Sequence, residues 1–281
     1  MESLESVADL TGPAESLLLT LASRAFESTQ KSPIVRDNKA GELLKQLNYD
    51  AKPISGSRLY HTIICLRTRR FDQVVAKFLR EHPHGTIVNL GCGLDTRYER
   101  VDNGAATWLE VDLPEVIDLR RKLLPENPRR RFHACSIDQL SFDFVEGHAT
   151  RPVLFVAEGV LMFLAETDVH RFFMQLCTRF TGSRIIFDAV RPVEILMRRY
   201  HPTLRRTGAA VRWGLSSGKA LANAHPLRVA AQWYYCDERE PRLGWYRWLR
   251  FLPWLGRTAW ILECQLDGSL QLPAGRFSPN G

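Results

Sequence analysis

Two glycines and one aspartate have the residue types and the spacing of a site that binds a nucleoside. Gly91 and Gly93 follow the short apolar run TIVNL, and a residue without a Cβ lets the chain turn tightly and approach a ligand closely. Asp112 ends the next apolar run, WLEVD, about 20 positions after Gly93, which is the offset expected between a glycine turn and an acid that accepts hydrogen bonds from ribose hydroxyls. This layout predicts an adenosine-cofactor site.

The same residues leave several interpretations open. A dinucleotide-binding turn usually has a third glycine where this chain has Thr96, which leaves the helix N-terminus free for a phosphate. Its absence favours S-adenosylmethionine, which has no phosphate, over a nicotinamide or flavin cofactor. A nicotinamide enzyme and an inactive relative remain alternatives. We expect Cys92 to be a small packed residue and Asp95 to cap the following helix.

Five segments together resemble one known family. They are VNLGCGLDTR (88–97), WLEVDLPEVIDLRRKLL (108–124) and LFVAEGVLMFL (154–164), with KSPIVRDNKA (31–40) and LRTRRFD (66–72). The chain is similar over roughly residues 15–190 to leucine carboxyl methyltransferases, which include phosphatase methyltransferases and polyketide carboxyl methyltransferases of the tetracenomycin type. The resemblance implies a class I methyltransferase that uses S-adenosylmethionine and often esterifies a carboxylate.

The resemblance also implies roles for individual residues. Arg67 matches an arginine expected to pair with the cofactor carboxylate, a partner that suits a planar guanidinium. Glu158 matches a glutamate expected near the methionine end of the cofactor, and an unpaired carboxylate in its apolar run would be costly to bury. Many members have an acidic residue beside the adenine amino group, where this chain has Cys135 and Ser136, with Asp138 a little further on. The predicted cofactor-binding residues are Arg67, Gly91, Gly93, Asp112, Cys135, Ser136 and Glu158.

A parallel sheet would bring these residues together. Apolar runs predict strands near residues 86–91, 107–111, 131–135, 153–157 and 184–189. Helices are predicted between these strands and also at 14–30, 39–48 and 60–81. Such alternation is typical of an α/β fold with a mostly parallel sheet covered by helices on both faces, and ligands bind beyond the carboxyl ends of its strands. The family resemblance implies the Rossmann-like, seven-stranded sheet of class I methyltransferases.

A single methyltransferase domain is predicted over residues 1–281. Its expected parts are an N-terminal helical cap (1–82), a cofactor-binding core (83–190), a lid or substrate insertion (191–241), a closing helix and strand (242–267) and a disordered tail (268–281). The insertion is predicted where the rhythm of apolar strands lapses. Within 191–212, six arginines are opposed only by Glu194, and this charge would attract an acidic acceptor.

Composition and motifs exclude several classes of protein. The net charge of +7 permits nucleic-acid binding, but the arginines are not interleaved with aromatic residues as in a known RNA module, so no nucleic-acid partner is predicted. No apolar stretch reaches about 18 uncharged residues and the first residues do not resemble a signal peptide, which predicts a cytoplasmic protein without a membrane partner. The six scattered cysteines predict reduced thiols and no metal site. The oligomeric state stays open, a dimer included.

The expected chemistry is direct displacement, in which an acceptor oxygen attacks an activated methyl group. A carboxylate acceptor is ionised at neutral pH and needs no general base, whereas a phenol or alcohol would need one, with His61, His133 or Asp188 as candidates. No catalytic residue is therefore assigned. The predicted function is methyl esterification of an acidic small molecule such as a polyketide. The alternatives are methylation of a hydroxyl or phenol, methylation of a protein C-terminus, and a methyltransferase fold retained only to bind a partner.

Overall fold

A seven-stranded sheet forms the centre of the computed structural model, which describes residues 4–7, 16–49, 58–147, 152–198 and 210–268. The strands are β1 (Thr86–Leu90), β2 (Thr107–Asp112), β3 (Arg130–Ala134), β4 (Val153–Ala157), β5 (Arg184–Val190), β6 (Leu227–Tyr234) and β7 (Ala259–Leu266). They lie in the order β3-β2-β1-β4-β5-β7-β6. Strands β1 to β5 pair in parallel, whereas β7 runs antiparallel between β5 and β6. The predicted α/β fold with a mostly parallel sheet is confirmed.

Helices pack on both faces of this sheet. The α-helices are α1 (Ser16–Ser28), α2 (Asn38–Gln46), α3 (Arg58–Glu81), α4 (Arg97–Val101), α5 (Pro114–Leu123), α6 (Asp143–Glu146), α7 (Glu166–Arg179), α8 (Pro192–Arg198), α9 (Gly218–Ala224) and α10 (Pro253–Gly256). Short 3-10 helices lie at Ile137–Gln139, Leu161–Phe163, Tyr235–Asp237 and Pro241–Phe251. The first N–H groups of a helix lack partners within it, so a preceding side chain often accepts one of them. At the start of α2, Asp37 accepts the Ala40 N–H at 3.0 Å.

The central strands are buried on both faces. Every residue of β1 and β4 is buried, as expected for parallel strands between two helical layers. Neighbouring side chains on a strand point to opposite faces. Val88 therefore packs in one core with Phe155 of β4 and Phe173 of α7, whereas Ile87 packs in another core with Phe71 of α3. This packing fixes the carboxyl ends of β1, β2 and β4 side by side.

One strand and one helix differ from the sequence prediction. Strand β6 falls inside the segment expected to lack strands, because it is an edge strand whose residues alternate between half-buried and exposed and form no apolar run. Within residues 242–267, where a closing helix is predicted, the short α10 (Pro253–Gly256) follows a 3-10 helix, Pro241–Phe251. Gly244 interrupts it with a φ of 57°, a conformation that suits glycine.

Parts of the predicted lid and tail lie outside the described residues. They are residues 199–209, which include Arg199, Arg205 and Arg206 of the basic segment, and residues 269–281 of the tail predicted to be disordered. Among the residues that the structure describes, no helix has the length and apolar character to cross a membrane.

Candidate active site

The turn after β1 needs glycine for two reasons. Gly91 and Gly93 have positive φ values of 60° and 48°, a conformation that residues with a side chain rarely adopt. A Cβ on Gly91 would overlap Val160 Cγ2, and a Cβ on Gly93 would lie 3.2 Å from Leu17 Cβ. Both glycines line a cavity, so their bare backbone forms part of its wall.

Asp112 ends β2 directly beside this turn. Its Oδ2 accepts the Gly93 N–H at 2.6 Å, and its Oδ1 accepts the Leu113 N–H at 2.8 Å. Burial raises the pKa of Asp112, and the two N–H groups oppose that shift. The bonds fix the carboxyl group in place, and its remaining lone pairs can accept from hydroxyl groups.

A buried arginine of α5 holds the turn from behind. Arg120 donates to the carbonyl oxygens of Gly93 and Asp95, each at 2.7 Å. It also donates to Glu110 at 2.7 Å, and Arg130 donates to the other oxygen of Glu110 at 2.7 Å. Sequence analysis missed this support. The available signal was a charged residue at a buried position of an apolar pattern: Glu110 within WLEVD of β2 and Arg120 on the apolar side of α5.

An ion pair between Arg67 and Glu158 forms another wall of the cavity. Arg67 Nε donates to Glu158 at 3.0 Å, and Arg67 Nη1 donates to Asp188 at 3.3 Å. Arg97 donates to the second oxygen of Glu158. Burial pushes the pKa of Glu158 up, but the guanidiniums of Arg97 and Arg67 outweigh it and hold that pKa below its usual range. Glu158 is therefore ionised at neutral pH.

Further arginines and aspartates form a buried network behind this wall. Asp95 accepts from Arg97 at 2.7 Å and from Arg100 at 3.0 Å, and Asp72 accepts from the same two arginines. Burial opposes the charge of Asp95, but the arginines hold its pKa well below the usual range. The interpretation of Asp95 as a helix cap was wrong: the N-cap position of α4 is Thr96, whose side chain makes no capping bond.

Strand β3 brings Cys135 and Ser136 to the same cavity. The Cys135 N–H donates to the Asp112 carbonyl at 2.8 Å, which keeps this position next to β2. Ser136 Oγ donates to Asp138 Oδ1, so an acid is attached to this position through the serine hydroxyl. Burial raises the pKa of Cys135 and keeps it a neutral thiol.

These elements enclose a cavity of about 310 Å³. All seven predicted cofactor residues line it: Arg67, Gly91, Gly93, Asp112, Cys135, Ser136 and Glu158. Helices α1 and α3 add Arg24 and Tyr60, and the segment after β4 adds Met162 and Phe163. One side of the cavity is therefore charged and another side is apolar.

The three candidate bases do not meet in this cavity. His61 Nε2 lies 2.8 Å from a buried glutamate of α1, and the His133 ring lies 4.4 Å from the ring of Phe144. Neither histidine is among the described residues that line the cavity. Asp188 accepts from Arg67 and from the Gly159 N–H at 2.6 Å, and burial raises its pKa.

One group of potential metal ligands occurs among the described residues, although the sequence predicts no metal site. The ligand atoms of Glu27, His61 and Cys65 lie within 4.8 Å of one another. Arg242 already donates to Glu27 at 2.8 Å, and burial raises the pKa of Cys65 to about 12. In this group the negative charge of Glu27 is already balanced by Arg242, and Cys65 is a protonated thiol, whereas metals bind the thiolate.

A sequence model of the leucine carboxyl methyltransferase family matches residues 17–177. This chain belongs to that family. It is 35% identical over 231 residues to the tetracenomycin polyketide synthesis O-methyltransferase of Streptomyces glaucescens, covering 81% of this chain and 85% of the relative. It is 26% identical over 261 residues to an S-adenosylmethionine-dependent methyltransferase of Gibberella zeae, covering 85% of this chain and 88% of that relative. The family predicted from the sequence is confirmed.

Solved structures share the fold of this leucine carboxyl methyltransferase family member. A DUF574 family protein of Streptomyces avermitilis has a TM-score of 0.55 at 14% identity, covering 87% of this chain and 96% of that structure. A protein of Thermobifida fusca has a TM-score of 0.54 at 15% identity, covering 87% and 94%. The class I methyltransferase fold is thus confirmed, and family membership makes the protein an S-adenosylmethionine-dependent methyltransferase.

Proposed function

We propose that this methyltransferase acts on a carboxylate of an acidic small molecule and so forms a methyl ester. S-adenosylmethionine, when bound, supplies a methyl group that its sulfonium has already activated. The similar protein of S. glaucescens is an O-methyltransferase of polyketide synthesis. This similarity and the apolar wall at Met162 and Phe163 support a largely apolar acid, such as a polyketide, as the acceptor.

The turn after β1 fits the nucleoside half of the cofactor. A side chain on Gly91 or Gly93 would meet Val160 or Leu17, so only glycine lets this turn pack as it does, and its backbone lines the cavity where a ligand can lie. Asp112 presents charged acceptors to ribose hydroxyls, which strengthens such bonds. We assign Cys135 and Ser136 to the adenine end, because they follow β3 at the same edge of the sheet.

The charged wall fits the amino-acid half of the cofactor. Arg67 uses Nε and Nη1 within the protein, and its Nη2 makes no hydrogen bond among the described residues. That nitrogen is available for the carboxylate of the cofactor. Glu158, which is ionised, offers a negative charge near the ammonium and sulfonium groups.

The state of the carboxylates in the cavity supports an acceptor that ionises unaided. Asp112 accepts two backbone N–H groups, and Glu158 and Asp95 are each bound by two arginines. The arginines hold the pKa of Glu158 and the pKa of Asp95 below their usual range, so both carboxylates are weak bases, and the free lone pairs of Asp112 are assigned to the ribose hydroxyls. A phenol or alcohol needs a general base, whereas a carboxylic acid has lost its proton in water. This observation carries the choice of a carboxylate.

The chain itself contributes alignment of the acceptor and exclusion of water. The N–H groups of Arg212 and Trp213 donate to the carbonyl of Met162 at 2.8 and 3.1 Å, which attaches the segment 191–241 to the apolar wall. These contacts support the proposal that this segment is the substrate side of the domain. Alignment of reactants can lower a barrier by up to roughly 7–11 kcal/mol.

Calorimetric titration with S-adenosylhomocysteine tests the cofactor assignment. Asp112→Asn keeps the size of the side chain but removes its charge, so we expect roughly 10- to 100-fold weaker binding, since hydrogen bonds to charged groups contribute roughly 1.5–3 kcal/mol. The control is Asp118→Asn, because Asp118 lies on α5 with 71% of its side chain exposed. Equal affinities of the parent protein and both variants would contradict the assignment.

Transfer of a radiolabelled methyl group tests the acceptor class. Aromatic hydroxy acids and the amides of the same acids would be offered as acceptors. A methyl ester releases labelled methanol in mild alkali, whereas a methyl ether keeps its label. We expect alkali-labile label on the acids and none on the amides. Alkali-stable label on both would show that the acceptor is a hydroxyl group, which is the second candidate function.

A further inference from the structure

An apolar face is exposed on the segment between β6 and β7. It consists of Trp245, Trp248, Phe251, Leu252 and Leu255, whose exposed fractions range from 43% to 67%, and we call it the tryptophan face. Trp245, Trp248 and Phe251 recur every three residues along the 3-10 helix Pro241–Phe251, and Leu252 and Leu255, also three residues apart, continue from its end into α10. Residues with this spacing lie on one side of a helical segment.

The opposite side of this segment is anchored to the fold. Leu243 is buried in a core cluster with Ile34 and Leu66, and Arg242 donates to the buried Glu27 at 2.8 Å. The tryptophan face is therefore held outward by a packed scaffold. Contiguous exposed apolar residues on such a scaffold mark an interaction site.

The segment that carries the tryptophan face has a positive net charge. Residues 241–256 contain three arginines and no acid. Arg247 and Arg250 lie over the rings of the face itself, with their Cζ atoms 5.4 Å from the Trp248 centroid and 4.8 Å from the Phe251 centroid. Of the two glutamates that precede the segment, Glu238 pairs with Arg69 and Arg70 of α3, and Glu240 pairs with Arg242 of the segment itself. A partner of this face must combine an apolar interior with a negatively charged rim.

In contrast to the sequence prediction of no membrane partner, we propose that the tryptophan face docks the protein peripherally on a lipid surface with anionic headgroups. The rings and leucines would lie about 5–10 Å deep, at the boundary of headgroups and acyl chains, with the arginines beside the phosphates. A second copy docked through the same face would set Arg247 and Arg250 against their own counterparts. An acidic protein would be held mainly by ion pairs. This face instead has five exposed apolar side chains and only two arginines beside them, which favours a partner with an apolar interior. The docking is independent of the proposed methyl acceptor.

Sedimentation of the full-length protein with vesicles tests this docking. We expect binding to vesicles of phosphatidylcholine with phosphatidylserine, a blue shift of tryptophan emission, and weaker binding to phosphatidylcholine alone. The triple variant Trp245→Ser, Trp248→Ser and Phe251→Ser should bind at least about tenfold more weakly, because it removes most of the apolar area. Val193→Ser is the matched control, since Val193 is an apolar residue 52% exposed on α8.

Circular dichroism of each variant checks that the fold is intact. The proposal is overturned if the parent protein does not sediment with the anionic vesicles, or if the folded triple variant sediments as the parent does. It is also overturned if the parent is a dimer that the triple variant dissociates and neither protein binds vesicles, because the face would then be covered by a second copy. Binding of S-adenosylhomocysteine by the triple variant should be unchanged, which separates this test from that of the methyltransferase site.

Discussion

Alanine in place of Gly91 should lower the free energy of unfolding by about 2–5 kcal/mol, the sum of two separable effects. The first is backbone strain, because a positive φ costs a residue with a Cβ roughly 1–2 kcal/mol. The second is overpacking: the new Cβ overlaps Val160 Cγ2 and lies 3.2 Å from Val160 Cγ1, and such crowding typically costs about 1–3 kcal/mol. Urea denaturation of the parent and the variant measures the total.

Two further variants separate the effects. Gly104→Ala has only the strain, since Gly104 has a φ of 77° and nothing lies within 4 Å of its added Cβ, so it should lose roughly 1–2 kcal/mol. Val160→Ala removes both γ-carbons and leaves its Cβ 3.4 Å from the new methyl group, so combining it with Gly91→Ala should recover about 1–3 kcal/mol as a coupling energy. The reasoning is refuted if Gly91→Ala costs no more than Gly104→Ala, or if the double variant shows no coupling.

Three further predictions concern residues around the site. Arg120→Met should lower the free energy of unfolding by roughly 3–5 kcal/mol, because it leaves buried acceptors unpaired, and should weaken S-adenosylhomocysteine binding; unchanged calorimetric affinity would show that the turn does not need this support. Cys135 is the half-buried member of six free cysteines, so a thiol reagent should label it first and S-adenosylhomocysteine should protect it; labelling without protection would place the cofactor elsewhere. Burial lowers the pKa of His225 from 6.5, so its contribution to stability is complete above the unfolded pKa and is lost as the pH falls through the lower folded pKa. Between those two pKa values, the free energy of unfolding of the parent should fall by up to about 1.4 kcal/mol per pH unit more than that of His225→Phe. The same pH dependence in both proteins would exclude a contribution of His225 to it.

Prediction from the sequence succeeded where the physical signal was local. The apolar run near residues 86–91 is β1 (Thr86–Leu90), and the run near 153–157 is β4 (Val153–Ala157). A strand buried on both faces leaves an uninterrupted apolar run, which a sequence shows directly. Strand β6 was missed because an edge strand that is half exposed has no such run.

The residues that line the candidate site could be predicted from the sequence, but the buried residues that hold the glycine turn in place could not. The glycine turn and Asp112 lie within about 20 residues of one another, and the β-turn-α-β order brings them together. Arg120 supports the same turn from the next helix, but its partners are two carbonyl oxygens and a glutamate on another element. Backbone acceptors leave no mark in a sequence, so only the folded chain shows this role.

The paired charges of the cavity bear on how the proposed acidic acceptor would reach it. Glu158 lies between Arg67 and Arg97, and Asp95 lies between Arg97 and Arg100. Because opposite charges at such distances nearly cancel beyond a few ångströms, these walls attract an anion only weakly from afar. The unbalanced charge lies in residues 191–212, where six arginines are opposed only by Glu194.

We therefore expect capture and transfer of the proposed acidic acceptor to depend on different parts of the chain. If the acceptor is the anion proposed, we expect the positive charge of this segment to raise the rate at which it meets the protein, and salt screens such charge over roughly 8–10 Å. Once the acceptor has arrived, the cavity would align it through buried contacts, which salt screens much less. Added salt should thus lower kcat/KM for an acidic acceptor and leave kcat nearly unchanged. An acceptor held mainly by the buried arginines of the cavity would instead show little dependence of either constant on salt.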